Sequence, residues 1–393
     1  MLLIKNGNLI TMAGLYEQTG DILIDDGKIV KVGQVGPVPE SCEIIDAAGR
    51  TVTPGLVEAH CHMGLWGTAC QEEMDGNEST SPALPGLRGL DAVNPEDATF
   101  DAALRHGITT VVTGPGSGNI IGGTFMAIKT AGEDVDSRIV RQELAMKMAL
   151  GENPKTNFGK RGMAPKTRMM NAAIMREQLF KAKEYYENYK VNGQKLDFPF
   201  DFHMHSLMRV FEGMRVKIHA HQADDIQTAI RIANEFGLRY SIEHCTEGYM
   251  IPEVLKKNNT QCLLGPTVGG KGKVETQNRS FDAGRILEEA GITFALITDA
   301  PFVPIENQLL QVALYVKNGM SREMAIRSVT LNAARITDID ARVGSIEPGK
   351  DADIVIWDVE PLATMSQAGT VIIDGKIAYQ RKAGESNVDY QKL

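Results

Sequence analysis

Eight short apolar runs, each bounded by glycine, proline or polar residues, recur between residues 55 and 299. They are GLVEAHCH (55–62), ITTVVTG (108–114), TFMAIKT (124–130), ELAMKMAL (143–150), RVKIHAH (215–221), RYSIEHC (239–245), QCLLG (261–265) and TFALITD (293–299). Their length and β-branched content read as buried strands. Helical periodicity fills much of the remainder, over 95–106, 167–189, 224–236, 280–290, 306–317 and 322–336. The stretch 224–236 is typical. Asp224 and Asp225 favour the positive end of a helix, Ile226, Ala229, Ile230 and Ala233 form an apolar stripe, and Gly237 supplies a stop. Strands separated by helices form parallel βα units, so the expectation is an α/β fold with a closed (β/α)8 TIM barrel, an open doubly wound sheet being the alternative that periodicity leaves standing.

Both ends of the chain have a different texture. Asn6-Gly7, Asp26-Gly27 and Asp374-Gly375 each interrupt apolar alternation, as in tight hairpins. This predicts a small β-sandwich domain built from the two termini, residues 1–54 and 341–393, around a barrel spanning 55–340. The net charge of -9 argues against nucleic acid as a partner. Five cysteines with irregular spacing (Cys42, Cys61, Cys70, Cys245 and Cys262) fit reduced thiols. The sequence shows neither a signal-like apolar start nor an apolar run long enough to span a membrane, so a soluble cytoplasmic protein is expected.

Function in a barrel of this kind sits where strands end at the C-terminal face. His60 and His62 end the first strand, His219 and His221 the fifth, His244 the sixth and Asp299 the eighth. Residues two apart on a strand point the same way, so each His-x-His pair can face one ion. A single such histidine is commonly structural, but five of the eight histidines fall at three strand ends. Imidazole with carboxylate suits zinc and similar divalent ions. Lys147 lies inside an apolar strand. It either pairs and snorkels, or burial lowers its pKa until the neutral amine can add carbon dioxide as a carbamate.

With these pieces in place the chain resembles the amidohydrolase superfamily of metal-dependent hydrolases. The matching segments are PGLVEAHCH, RHGITTVV, KIHAHQADDI, IEHC, ITDAP and the tail RVGSIEPGKDADIVIWD, spread over nearly the whole chain. The resemblance implies one or two divalent metal ions, zinc foremost. His60, His62 and Asp299 would hold one ion and His219 and His244 a second, with a carbamate on Lys147 bridging the two and Glu152 as the alternative ligand. It implies hydrolysis of a C–N bond in an amide, cyclic amide or dipeptide-like small molecule by water activated at the metal, with Asp299 as general base. His221 would touch substrate or support a ligand. Within the superfamily the imidazolonepropionase-like and prolidase-like group is the nearest in pattern, but imidazolonepropionases carry His-Ala-Asp-Glu where this chain has His219-Ala220-His221-Gln222. A mononuclear deaminase of a small heterocycle, an imidazolonepropionase and a non-catalytic scaffold are the competing readings. A homo-oligomer is the expected state.

Residues 151–170 read as a long basic loop in which Lys155, Lys160, Arg161 and Arg168 meet a substrate carboxylate or only solvent. Gln222 is a further candidate for contact with substrate. The glycine-rich stretch 113–123 reads as a βα loop or an anion-binding turn. Residues 68–89 read as an active-site wall carrying Asn77 and Glu78. His203 and His205 read as a surface or helix-start pair, and His106 as a structural residue at a helix end.

Overall fold

The computed structural model describes residues 1–14, 18–66 and 74–382. Cys70 and part of the predicted wall at 68–89 lie outside the described residues. The N-terminal strands are β1 (Leu2–Leu9), β2 (Gln18–Asp25), β3 (Lys28–Gly33), β4 (Glu43–Asp46) and β5 (Thr51–Pro54). The central strands are β6 (Leu56–Cys61), β7 (Ile108–Thr113), β8 (Ile121–Lys129), β9 (Ile139–Ala149), β10 (Arg215–Ala220), β11 (Tyr240–His244), β12 (Gln261–Leu264) and β13 (Phe294–Leu296). The C-terminal strands are β14 (Ile354–Val359), β15 (Gln367–Ile373) and β16 (Lys376–Gln380).

The central eight form one sheet in chain order from β6 to β13, curled into a nearly closed barrel. All eight expected strands are present. One expectation is corrected: β8 runs antiparallel to both β7 and β9, so the barrel is not uniformly parallel. The cause is connection length. A parallel crossover needs a dozen or more residues, whereas only residues 114–120 join β7 to β8 and 130–138 join β8 to β9. The stretch 113–123 is therefore a hairpin connection and not a βα loop. Closure is by side chains at one seam. β6 and β13 are the two ends of the hydrogen-bonded order, and Glu58 Oε2 accepts from the Thr298 backbone N–H (3.0 Å) and hydroxyl (2.8 Å) across the gap.

The strand-forming residues of β6 and β10 are buried along their whole length, which is why these segments are continuously apolar except for their functional residues. The helix Ala223–Phe236 forms as its sequence dictates, closed by Gly237 in the left-handed conformation. The predicted helix over 322–336 is two helices, Arg322–Ser328 and Leu331–Ile336. Thr330 separates them, its hydroxyl donating to Ile326 O (2.6 Å) while its backbone leaves the helical region.

Strands from both ends of the chain join one sheet, ordered β16-β15-β14-β5-β1-β2-β3, with β4 also paired to β1. The two termini thus share one sheet, where two packed sheets were expected. Asp26-Gly27 and Asp374-Gly375 are two-residue turns with positive φ at both positions, as their chemistry requires. Asn6-Gly7 is not a hairpin turn. It is a bulge inside β1, where the register with β2 shifts between Ile4 and Gly7. Lys129, at the end of β8, ties the barrel to this sheet. It is buried and salt-bridged to Asp351 (3.0 Å), Asp353 and Asp374 (3.6 Å).

Candidate metal centre

The strand ends bring two groups of ligand-type side chains together. His60, His62 and Asp299 form one and His219, His221 and His244 the other. Within each, the candidate ligand atoms lie within 4.8 Å of one another and all six residues are buried. His62 Nε2 is 3.2 Å and His60 Nε2 3.5 Å from Asp299 Oδ1, and that oxygen has no hydrogen-bond partner. The two groups adjoin, with the His60 and His244 rings 5.3 Å apart. His244 and Asp299 both adopt left-handed backbone conformations (φ 70° and 55°). Such strain in a non-glycine residue costs roughly 1–3 kcal/mol and persists where the surroundings over-determine it.

Four of the five imidazoles, all but His219, are oriented from behind. A carboxylate or carbonyl oxygen can only accept, so the ring nitrogen facing it carries the proton. His60 Nδ1 donates to Glu243 Oε2 (2.6 Å), His62 Nδ1 to Gly114 O (2.7 Å) and His244 Nδ1 to Gly265 O (2.9 Å). Each thereby keeps Nε2 as the unprotonated nitrogen, and at His60 that nitrogen meets Lys147 Nζ (3.2 Å). His221 Nδ1 meets the Thr246 hydroxyl at 2.7 Å. Burial holds His60, His219, His221 and His244 well below the usual imidazole range, so all four are neutral at physiological pH. Buried imidazoles beside an unsatisfied carboxylate oxygen fit divalent cations.

Lys147 is fully buried on β9, with Nζ 3.2 Å from His60 Nε2. Its partner across the ladder is Lys217, which donates to Glu243 (2.6 Å) and to Ala59 O (3.1 Å). Glu243 thus compensates one of two adjacent lysines. Burial pushes Lys147 down to about 8. Glu58, Lys217, Glu243 and Glu275 are buried site residues that the strand-end reading did not find.

A cavity of about 640 Å³ opens beside both clusters, lined in part by His62, His219, His221, Asp299, Trp66 and Phe302. Lys160, Arg161, Lys273 and Arg279 also line it, and Asp299 is the one carboxylate among its described lining residues. Several expectations are corrected. Residues 152–159 are a helix, Glu152–Gly159, and not a loop. Glu152 stands outside both clusters; its Oε2 accepts from the Glu275 backbone at 3.5 Å. Lys155, Arg168 and Gln222 do not line the cavity. Arg168 opens the helix Arg168–Asn192 and is held by Asp225 (3.0 Å) and by the Gln222 amide oxygen, so both polar groups are satisfied away from it. His221 faces its neighbouring histidines as well as the cavity. Asn77 lines the cavity and accepts from Gly118 N (2.7 Å), while Glu78 caps Thr80 N at the surface. His203 and His205 begin the short helix Phe202–Met208.

A barrel whose strand ends converge on two ligand clusters beside one cavity defines an enzyme working at its C-terminal face. Residues 51–378 match the model of the amidohydrolase family. The chain belongs to that family, whose members are hydrolases acting on carbon–nitrogen bonds. It is 29% identical to the amidohydrolase tasK of Hapsidospora irregularis over 91% of this chain, spanning 39% of that protein's length. It is 28% identical to an imidazolonepropionase of Staphylococcus aureus, over 92% of this chain and 90% of that protein. An amidohydrolase structure from Thermotoga maritima superposes with a TM-score of 0.93 at 36% identity, over 97% of this chain and 100% of that one. Among the described residues no helix is long and apolar enough to cross a membrane.

Proposed function

We propose that this protein is a metal-dependent amidohydrolase that cleaves a C–N bond in a small substrate bearing a carboxylate. The observation that carries the reading is the pairing of two buried ligand clusters with a cavity whose described lining residues include four cationic side chains and a single carboxylate. Divalent ions at the clusters, zinc being the proposed metal, would polarise water and the scissile carbonyl so that hydrolysis proceeds at neutral pH.

The protein's own residues supply the rest. His60 and His62 fix the position of the ion, and Asp299, between them and the cavity, takes a proton from water and returns it to the leaving nitrogen. Arg279 lines the cavity, and among the described residues its guanidinium bonds to the Gly270 carbonyl alone (3.1 Å), leaving N–H groups for a substrate carboxylate. Trp66 packs on His62 (ring centroids 4.4 Å apart) and against Phe302, giving an apolar wall for the acyl portion. Burial destabilises the Lys147 ammonium and so favours the neutral amine, the form that would add carbon dioxide to become a carbamate.

The test is metal content by mass spectrometry together with hydrolysis of N-acyl amino acids, dipeptides and cyclic amides, each compared with its uncharged amide analogue. Expected are bound divalent ions and a preference for the carboxylates that Arg279→Met removes through a rise in KM. Metal-free folded protein, or equal rates on charged and uncharged substrates, would overturn the reading.

A further inference from the structure

Glu275 has no assigned role and is the most conspicuous unused group near the site. It lies in a short turn, Val274–Thr276, between β12 and the helix Asp282–Glu289, and its side chain is wholly buried. Its two oxygens differ. Oε2 accepts from the backbone N–H of Glu152 at 2.9 Å, which anchors the carboxylate. Oε1 is buried with no hydrogen-bond partner. It points between two imidazoles, 3.7 Å from His219 Nε2 and 3.8 Å from His221 Nε2, with Lys273 Nζ at 4.0 Å. Lys273 is engaged elsewhere, donating to Asn153 Oδ1 at 2.5 Å.

We propose that Glu275 is the fourth ligand of an ion held by His219, His221 and His244. The proposal rests on the metal-dependent reading above and assigns the coordination of its second site. Zinc–nitrogen and zinc–oxygen bonds of about 2.0–2.1 Å place tetrahedral ligand atoms roughly 3.3 Å apart. The observed separations of 3.7 and 3.8 Å are within a small adjustment of that edge. Charge argues the same way. Three neutral imidazoles give a cation no compensation, and a buried carboxylate oxygen with no hydrogen bond, faced by Lys273 at no less than 4.0 Å, is costly without a closer cation. A neutral hydrogen-bond partner for Oε1 would satisfy Glu275 but leave its position between the His219 and His221 Nε2 atoms, in the cluster that His244 completes, unexplained.

The consequence is a division of labour. Four protein ligands close the second site, as in structural centres, whereas His60, His62 and Asp299 leave a position open at the first, as in catalytic centres. His219, His221, His244 and Glu275 would then tie β10, β11 and the loop after β12 together around the second site, and polarisation of water would fall to the first.

The experiment compares wild type with Glu275→Gln, which keeps the shape and the acceptor for Glu152 N. Both are stripped and titrated with zinc, then with cobalt to read ligand-field bands. Expected are two ions in wild type, and in the variant an unchanged first site with the second weakened at least tenfold and its cobalt bands altered. A variant binding two ions as tightly as wild type, or a wild type holding one ion only, would overturn this assignment while leaving the hydrolase reading intact. A wild type binding no ion would overturn both. Should the variant not fold, anomalous diffraction at the zinc edge on the wild-type holoenzyme decides: zinc about 2.0–2.2 Å from Glu275 Oε1 supports the assignment and zinc beyond about 3 Å refutes it.

Discussion

Replacing Glu243 by glutamine separates two things that one carboxylate does. Glu243 accepts from His60 Nδ1 (2.6 Å), Lys217 Nζ (2.6 Å) and the Ser241 hydroxyl (2.6 Å), all of them buried. The amide retains the shape but removes the charge. Lys217 then keeps neutral acceptors alone, the amide oxygen and the Ala59 carbonyl, and leaving one member of a buried ion pair uncompensated costs about 3–5 kcal/mol. For 393 residues the unfolding entropy is about 0.8 kcal/mol/K, so the expected fall in Tm is about 5 °C. His60 also loses its anionic support. Changes to such supporting carboxylates typically weaken metal binding 10–100-fold, or about 1.4–2.7 kcal/mol. Differential scanning calorimetry on the metal-free protein and a chelator competition for zinc measure the two effects separately. Glu243→Gln combined with Lys217→Met should recover most of the Tm and none of the affinity. A Glu243→Gln protein that binds zinc as tightly as wild type would refute the orienting role.

Two further outcomes are expected. Lys129→Met strips the cation from buried Asp353, so it should lose about 3–5 kcal/mol, again about 5 °C by calorimetry. Burial already raises the Asp353 carboxyl above its usual 3.8; without Lys129 it rises further, the folded variant binds more protons than the unfolded one, and the deficit should shrink from pH 7.5 to pH 5. Second, in the metal-free protein His60, His219, His221 and His244 are held below 6.5, so the unfolded chain binds more protons below that pH. Its urea midpoint should therefore fall as pH drops from 7 towards 5.5; an unchanged midpoint would contradict the burial of these rings.

The parts of the fold and site legible in sequence were those written in local patterns. The eight strands announced themselves as apolar runs, and His60, His62, His219, His221, His244 and Asp299 as polar residues ending them. The same pattern, followed further back, reaches two residues that the reading missed. Glu58, His60 and His62 are spaced by two, as are Lys217, His219 and His221, so each trio lies on one face of its strand. His244 departs from alternation because its backbone is left-handed, which hid the role of Glu243 beside it. Glu275 lies in a polar loop with no period, and only the tertiary fold carries it to the histidines. The reversal of β8 was written in connection length, not in periodicity, since a buried strand has the same pattern in either direction.

The seam between β6 and β13 gives the first cluster a mechanical meaning. Glu58 stands in for a missing rung there, and the His62 backbone N–H reaches Ala300 O (2.8 Å) just above it. His60 and His62 belong to one side of the gap and Asp299 to the other. An ion shared by these three is then a clasp on an otherwise split hoop. Capture of such an ion and the roundness of the barrel would become one equilibrium, so a strain that pries the staves apart would weaken the grip on the ion.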